Sequence, residues 1–234
     1  LGKVDGIRFV IFERSSTIGG VWSSNYADFG LQVPKELYEF PGFPWPAGAD
    51  KFPKGPAVAE YIRSFARAHA LYERIKFETE VVAMRPIGDN GRRGWNVVWR
   101  DSSARRGADG DATRSDEFDF VVVATGMYSA APHLPLAGTG AERFGGEIAH
   151  SSAFLDARAA CAGKKNVVVV GGGKSAVDCA VAAAKAMEGT GGKVTLLYRS
   201  AHWPVPRYLL NLVPFAYGTY SRFGHFMLPA HYDV

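Results

Sequence analysis

The chain has 234 residues, 47% hydrophobic and 21% charged, and its 27 Lys and Arg against 23 Asp and Glu leave a net charge of +4. These values fit a soluble globular chain that buries a sizeable core in one large domain or two smaller ones. Five arginines (Arg92, Arg93, Arg100, Arg105 and Arg106) cluster around a polar, Gly-rich stretch and not along a periodic helix, so a nucleic-acid-reading surface is not expected. The two cysteines, Cys161 and Cys179, form no C-x-x-C pair and mark neither a disulfide framework nor a metal site. No signal peptide or bilayer-length apolar run is present, so the cytoplasm is the expected location, with an anchor in sequence outside this chain left open.

In chain order, Leu1–Gly6 reads as a turn that feeds a buried strand at 7–12 ending in Glu13. An opening inside a strand-plus-loop unit predicts that a strand and its glycine loop lie upstream of Leu1. Residues 31–56 carry six prolines, with Tyr38, Phe40, Phe43 and Trp45 among their large aromatics, which predicts an irregular stretch packed across a domain surface. A helix is expected over 56–72, with Val58, Tyr61, Ile62, Phe65, Ala66 and His69 on one face. Strands at 95–99 and 118–123 flank a hydrophilic hairpin tip at 101–116. Strand 167–170, helix 174–187 and strand 194–198 alternate as in a parallel, doubly wound sheet. After Tyr208 the chain is aromatic and apolar without a clear period. That pattern predicts a sheet incomplete at Val234, with exposed apolar surface. No solenoid repeat is present.

The strongest local motif is Val167–Val170 followed by Gly171-Gly172-Gly173-Lys174-Ser175-Ala176, a G-x-G-x-x-A turn between a Val-rich strand and a helix. Gly171 permits the tight turn, Gly173 lets a pyrophosphate approach the backbone, and Ala176 allows close helix–strand packing. The helix N-terminus offers donors and positive dipole to phosphate. The next strand ends in Arg199, where an enzyme using NAD would carry Asp or Glu for the ribose 2′-hydroxyl; an Arg suits a 2′-phosphate and so NADPH. A first nucleotide site is seen through its remains. Glu13 stands where a strand-end acid holds a ribose, Gly19 and Gly20 let backbone approach a cofactor, and Thr125-Gly126 closes the apolar run Val121–Val123.

Taken together these residues resemble the flavin-containing monooxygenase family, in its plant-type branch, over nearly the whole chain. Glu13 followed by Gly19-Gly20-Val21-Trp22 resembles the FAD segment. Lys35-Glu36-Leu37-Tyr38-Glu39-Phe40-Pro41-Gly42-Phe43-Pro44 is similar to the K-E-x-x-x-F-x-D-F-P stretch, and Phe77-x-Thr79-x-Val81 to the strand reaching the adenine of FAD. Phe144-x-Gly146-x-x-x-His150-x-x-x-Phe154 matches the family fingerprint, with Phe154 where Baeyer–Villiger relatives carry Trp. The fingerprint implies that Phe144, Gly146 and His150 link the cofactor domains. One departure is Gln32, with Val33, in the segment where animal-type members place an Asn near flavin and nicotinamide.

The resemblance implies an α/β fold of two Rossmann-like dinucleotide-binding domains: an FAD domain over 1–156 lacking its first strand and glycine loop, and an incomplete NADPH domain over 157–234. It implies FAD contacts from Glu13, Gly19, Gly20, Val21, Trp22, Val81, Thr125 and Gly126, and NADPH contacts from Gly171, Gly173, Ser175, Ala176, Asp178 and Arg199. Gln32 occupies the catalytic position, and Val33 lies beside it. The implied activity is an NADPH-dependent, dimethylaniline monooxygenase-like reaction that places one oxygen atom of O2 on a soft nitrogen or sulfur nucleophile through a flavin hydroperoxide. The partners are then a small molecule and O2. Two alternatives stay open: a flavin-dependent disulfide reductase, and a non-catalytic remnant. The substrate and the oligomeric state are not legible.

Overall fold

The computed structural model describes residues 6–88, 93–103, 112–128, 134, 139–200, 206–219, 221, 222 and 226. Packing divides the chain into two compact units, Leu1–Ser23 with Ala59–Ala131, and Ser24–Val58 with Pro132–Val234. The boundary expected near residue 156 separates cofactor segments. The packing partition is discontinuous and assigns 24–58 and 132–156 to the unit that holds the G-x-G-x-x-A turn.

In the first unit, β1 (Ile11–Phe12) pairs in parallel with β2 (Ile75–Lys76). Beside them lies an antiparallel meander of β3 (Thr79–Pro86), β4 (Trp95–Asp101) and β5 (Arg114–Phe118). Phe12 packs against the meander, its ring 5.9 Å from Trp99 and 6.0 Å edge-on from Phe118. The β3–β4 register shifts between Val81 and Ala83. Such a bulge leaves a residue out of the ladder and re-aims the strand.

Three expectations need correction in this unit. The strand expected at 7–12 forms only at Ile11–Phe12, with Ile7 and Phe9 exposed. Residues 119–123 form no strand, and Phe120, Val122 and Val123 are 79%, 75% and 65% exposed. A buried parallel strand needs neighbours on its edges and cover on its faces, and among the described residues β1 has β2 as its hydrogen-bonded neighbour. The hairpin does form, but its second strand is β5, which begins inside the stretch 101–116 expected to be loop and ends at Phe118, where the expected strand begins; residues 104–111 of that stretch lie outside the described residues. Polar cross-strand contacts stand in for apolar alternation there. Trp99 Nε1 donates to Asp116 at 2.9 Å, and the Arg114 guanidinium lies 5.3 Å over the Trp99 ring.

The boundary between the units falls within α1 (Gly55–Ala68), which buries Val58, Ala59, Tyr61 and Ala66. It ends four residues earlier than expected. Ala70 adopts a left-handed φ of 51° that breaks the helix before a short 3-10 turn at Leu71–Arg74.

The second unit is built on β6 (Asn166–Val170), α3 (Lys174–Ala186) and β7 (Lys193–Leu197). Its strands pair in parallel with Val167 opposite Val194 and Val170 opposite Leu197. This is the strand–helix–strand unit expected from the sequence. Cys161, Ala183 and Met187 form its buried centre, with Phe154, Val167, Ala186 and Val194 packed on it. Helix α2 (Ala157–Cys161), not foreseen, starts at Asp156, whose carboxylate accepts from the Arg158 and Ala159 amides at 2.8 and 3.1 Å. Residues alternate along β6, so the face away from α3 leaves Val168 and Val170 58% and 76% exposed. The Pro-rich stretch is irregular, as expected. Leu31, Pro34, Trp45 and Pro53 are buried, and Trp45 Nε1 donates to the Lys35 carbonyl at 3.0 Å. A small hairpin of β8 (Tyr208–Leu209) and β9 (Val213–Pro214) leads into α4 (Phe215–Thr219).

Candidate functional site

The residues expected to contact FAD fall in the first unit, and the G-x-G-x-x-A turn with the fingerprint and Gln32 falls in the second. In the first unit Glu13 leaves β1 and is threaded between two elements. Its amide donates to the Lys76 carbonyl at 3.0 Å, and its carbonyl accepts from Thr79 at 2.9 Å. Glu13 is thereby brought beside β3, the strand that carries Val81 and the bulge. Its carboxylate accepts from the Ser15 amide at 2.7 Å, a local turn that orients the side chain.

Gly19 and Gly20 have φ of +116° and +52°, backbone that L side chains rarely adopt. They open a short 3-10 turn through Val21 to Trp22, with the Trp22 amide donating to the Gly19 carbonyl at 3.0 Å. A Cβ on Gly19 would meet the Ser23 hydroxyl at 2.6 Å, whereas a Cβ on Gly20 would meet nothing within 4 Å. Gly19 therefore serves the turn and Gly20 faces open space. Gly126 also has a positive φ, +76°, with open space at its Cβ, and Thr125 before it is exposed.

In the second unit the G-x-G-x-x-A turn divides its labour in the same way. Gly171 has φ +138°, and a Cβ there would lie 3.2 Å from the Cβ of Ala176. The bend thus presses directly on the helix, and Ala176 is the small partner that this approach needs. The Gly171 amide donates to the Leu197 carbonyl at 2.8 Å, which brings the end of β7, two residues before Arg199, against the bend. Arg199 itself is exposed. Gly173 caps α3 in extended backbone, φ −82° and ψ 177°, and offers no side-chain acceptor to the first turn. A Cβ on Gly173 would meet nothing within 4 Å. The helix N-terminus is open, and its first N–H groups with their partial positive charge are available to an anion.

Asp178 points elsewhere. Its Oδ2 accepts from the Tyr26 hydroxyl at 3.1 Å and is ion-paired with Lys174, one turn back on α3. Tyr26 is 6% exposed, and burial, reinforced by Asp178, pushes its phenol up to about 12. Cys179, next to Asp178, is raised to about 11, by burial first and then by the Asp178 charge. Burial also raises Cys161. Both cysteines are free and buried. Neither Tyr26 nor Lys174 stood out in the sequence. The i,i+4 spacing of Lys174 and Asp178 was visible there, but Tyr26 lies 152 residues from Asp178 and carried no signal.

The fingerprint is a backbone scaffold. Gly146 accommodates the Phe144 ring, which would lie 2.6 Å from a Cβ at that position. The His150 Nδ1 accepts from the Ser152 amide at 3.2 Å and caps the turn Ser151–Ala153. The Phe154 carbonyl accepts from the Ala27 amide at 2.6 Å. Gln32 and Val33 follow on the same segment, Gln32 exposed and Val33 half-buried, after the buried Leu31, whose amide donates to the Pro53 carbonyl at 2.9 Å. Residues 201–205, which follow Arg199 and Ser200, lie outside the described residues.

Residues 4–231 match the family described as flavin-binding monooxygenase-like. The chain belongs to that family. This flavin-binding monooxygenase-like chain is 34% identical over 244 residues to "Probable flavin-containing monooxygenase 1" of Arabidopsis thaliana, in an alignment covering 93% of the chain and 45% of that protein. It is 31% identical to "Flavin-containing monooxygenase 5" of Cavia porcellus, covering 95% of the chain and 41% of that protein. The chain spans under half the length of these relatives. Among solved structures it is similar to Tmm from Pelagibacter sp. strain HTCC7211, with a TM-score of 0.68 at 27% identity over 86% of the chain and 48% of that structure. It is also similar to an oxidized steroid monooxygenase bound to NADP, with a TM-score of 0.64 at 26% identity over 86% of the chain and 36% of that structure. The fold is therefore the α/β arrangement of these flavin monooxygenases. Among the described residues no helix is long and apolar enough to cross a membrane.

Proposed function

We propose that the chain carries the cofactor-binding part of an FAD- and NADPH-dependent monooxygenase that acts on a small nucleophile with a soft nitrogen or sulfur. The observation that carries this reading is the turn after β6. Gly171 is spent on packing against Ala176, while Gly173 leaves an uncapped helix N-terminus facing open space. That pairing of a closed and an open glycine is what a pyrophosphate cradle requires.

In this reading the amides at the start of α3 hold the pyrophosphate, and Ser175 lies in the same turn. Arg199, beyond the strand end bonded to Gly171, faces the 2′-phosphate, whose charge selects NADPH over NADH. Glu13 accepts from the ribose hydroxyls of FAD. Gly20, Val21 and Trp22 border the flavin, Val81 meets the adenine, and Thr125 and Gly126 close the site along the pyrophosphate. The open Cβ directions of Gly20 and Gly126 fit such close approach. Gln32, one residue past a buried anchor, presents its amide as donor and acceptor to the nicotinamide. Phe144, Gly146 and His150 stiffen the passage between the segments 1–156 and 157–234, which we assign to FAD and NADPH respectively. Bound FAD, once reduced, supplies the O2 chemistry; the protein's share is to bind, orient and exclude water.

The disulfide-reductase alternative needs a low-pKa cysteine pair, and burial drives both thiols the other way. The test is direct. The purified chain is incubated with FAD, freed of excess, and scanned for flavin absorbance, and its NADPH-dependent oxygen uptake is followed with an amine and a thioether. A yellow protein that consumes oxygen supports the whole reading. A colourless protein that binds NADPH retains only the second site, and a protein that binds neither refutes it.

A further inference from the structure

We propose that Tyr26 is a positioning residue: its hydroxyl, bonded to Asp178 of α3, pins the strap 25–32 to the helix that carries the glycine turn. Dinucleotide binding at the turn and placement of the Gln32 amide are thereby one event. This rests on the nucleotide reading of the Gly171–Gly173 turn given above.

The strap is irregular backbone, so its position depends on discrete anchors. At its start the Asn25 side chain accepts from the Tyr26 amide at 2.9 Å, and the Ala27 amide donates to the Phe154 carbonyl at 2.6 Å. Further along, the Phe29 carbonyl accepts from Gly55 at 2.9 Å and Leu31 donates to Pro53 at 2.9 Å. These bonds tie the strap to the fingerprint and to the start of α1. The Tyr26 hydroxyl is its side-chain link to α3.

The link is demanding because Tyr26 is buried. A hydroxyl removed from water must keep its partner or bear the desolvation cost. The partner is no neutral bystander. The same Asp178 oxygen holds Lys174, the first residue of α3. Lys174 sits at the positive end of the helix dipole, an unfavourable place for a cation unless a carboxylate or phosphate neutralises it. An anion arriving beside Gly173 therefore competes with Asp178 for Lys174 and strengthens the phenol's hold on the Asp178 oxygen that Lys174 shares. Occupancy of the turn is transmitted to the strap, and the exposed Gln32 lies at its end.

The experiment titrates the 234-residue chain, wild type and Tyr26→Phe, with NADP+ and with adenosine 2′,5′-bisphosphate, which has the 2′-phosphate end but no nicotinamide. Tyr26→Phe is expected to weaken NADP+ roughly three- to tenfold, the worth of one hydrogen bond, and to weaken the bisphosphate, which meets the turn but not Gln32, by a smaller factor. In a double-mutant cycle, Gln32→Ala is expected to cost little further NADP+ affinity in the Tyr26→Phe background. A general loss of structure would weaken both ligands alike, and that result, or an unchanged NADP+ affinity, overturns the proposal. Should Tyr26→Phe fail to fold, Asp178→Ala, which removes the acceptor of the phenol, tests the same link by a loss of NADP+ affinity relative to the bisphosphate, and equal changes on both ligands overturn it. Wild-type protein that binds neither ligand overturns the nucleotide reading of the turn itself, a failure distinct from that of the strap.

Discussion

Gly173→Ala separates what the fold needs from what the ligand needs. Gly173 has φ −82° and ψ 177°, backbone that alanine adopts without strain, and the new Cβ would meet nothing within 4 Å. Two effects on stability oppose each other. Alanine restricts the unfolded chain and stabilises by about 0.4–1 kcal/mol, while it is a poorer N-cap than glycine by a similar amount. The net change is within about 1 kcal/mol, or about 2–4 °C in Tm for a chain of this size. Binding is another matter. In the proposed cradle the methyl group would occupy the space through which phosphate oxygens reach the first amides of α3. Losing two charge-assisted hydrogen bonds at about 1.5–3 kcal/mol each weakens NADP+ by a factor of roughly a hundred or more. Gly171→Ala is the control. Its φ of +138° and the 3.2 Å approach to Ala176 put alanine under strain of about 1–3 kcal/mol, so it loses stability first. Thermal melts followed by circular dichroism and NADP+ titrations by calorimetry measure both quantities. Wild-type NADP+ affinity in a folded Gly173→Ala protein would refute the division of roles between the two glycines.

Arg199→Ala is expected to weaken NADP+ by roughly tenfold or more and to leave NAD+ unchanged, as measured by parallel titrations, because the guanidinium is assigned to the 2′-phosphate alone. Gly55→Ala would bring a Cβ within 2.0–2.4 Å of the Phe29 ring, so a loss of about 1–3 kcal/mol in urea unfolding is expected, with the strap displaced. Stability should fall at alkaline pH. The thiol of Cys179 is raised from 9.0 to about 11 and the phenol of Tyr26 from 10.0 to about 12. In each case the unfolded chain releases its proton first, so the stabilisation present below the unfolded value is lost as pH rises through these windows. Melts from pH 8 to 12 check this, and Cys179→Ala should flatten the lower part of the fall. Both cysteines should also resist alkylation at pH 8 until the protein is unfolded.

The sequence by itself determined those features whose cause is local. A Val-rich strand, glycines at fixed spacing and an Ala-rich helix specify a strand–turn–helix through backbone freedom and period, and β6, α3 and β7 appear where those rules place them. The same local logic carried the Pro-rich stretch and the motifs of the family. It failed where partners decide the state. Phe120, Val122 and Val123 read as a buried strand, yet burial depends on neighbours that no apolar run carries within itself. Conversely, Arg114–Asp116 read as loop and became part of a strand, with Trp99 and Asp116 meeting across the ladder. Which glycine is closed and which is open, and that Asp178 is held by a tyrosine 152 residues away, are decided by tertiary packing. A hydrogen bond between distant residues leaves no periodic trace in a chain, because what selects it is the burial that the rest of the fold imposes.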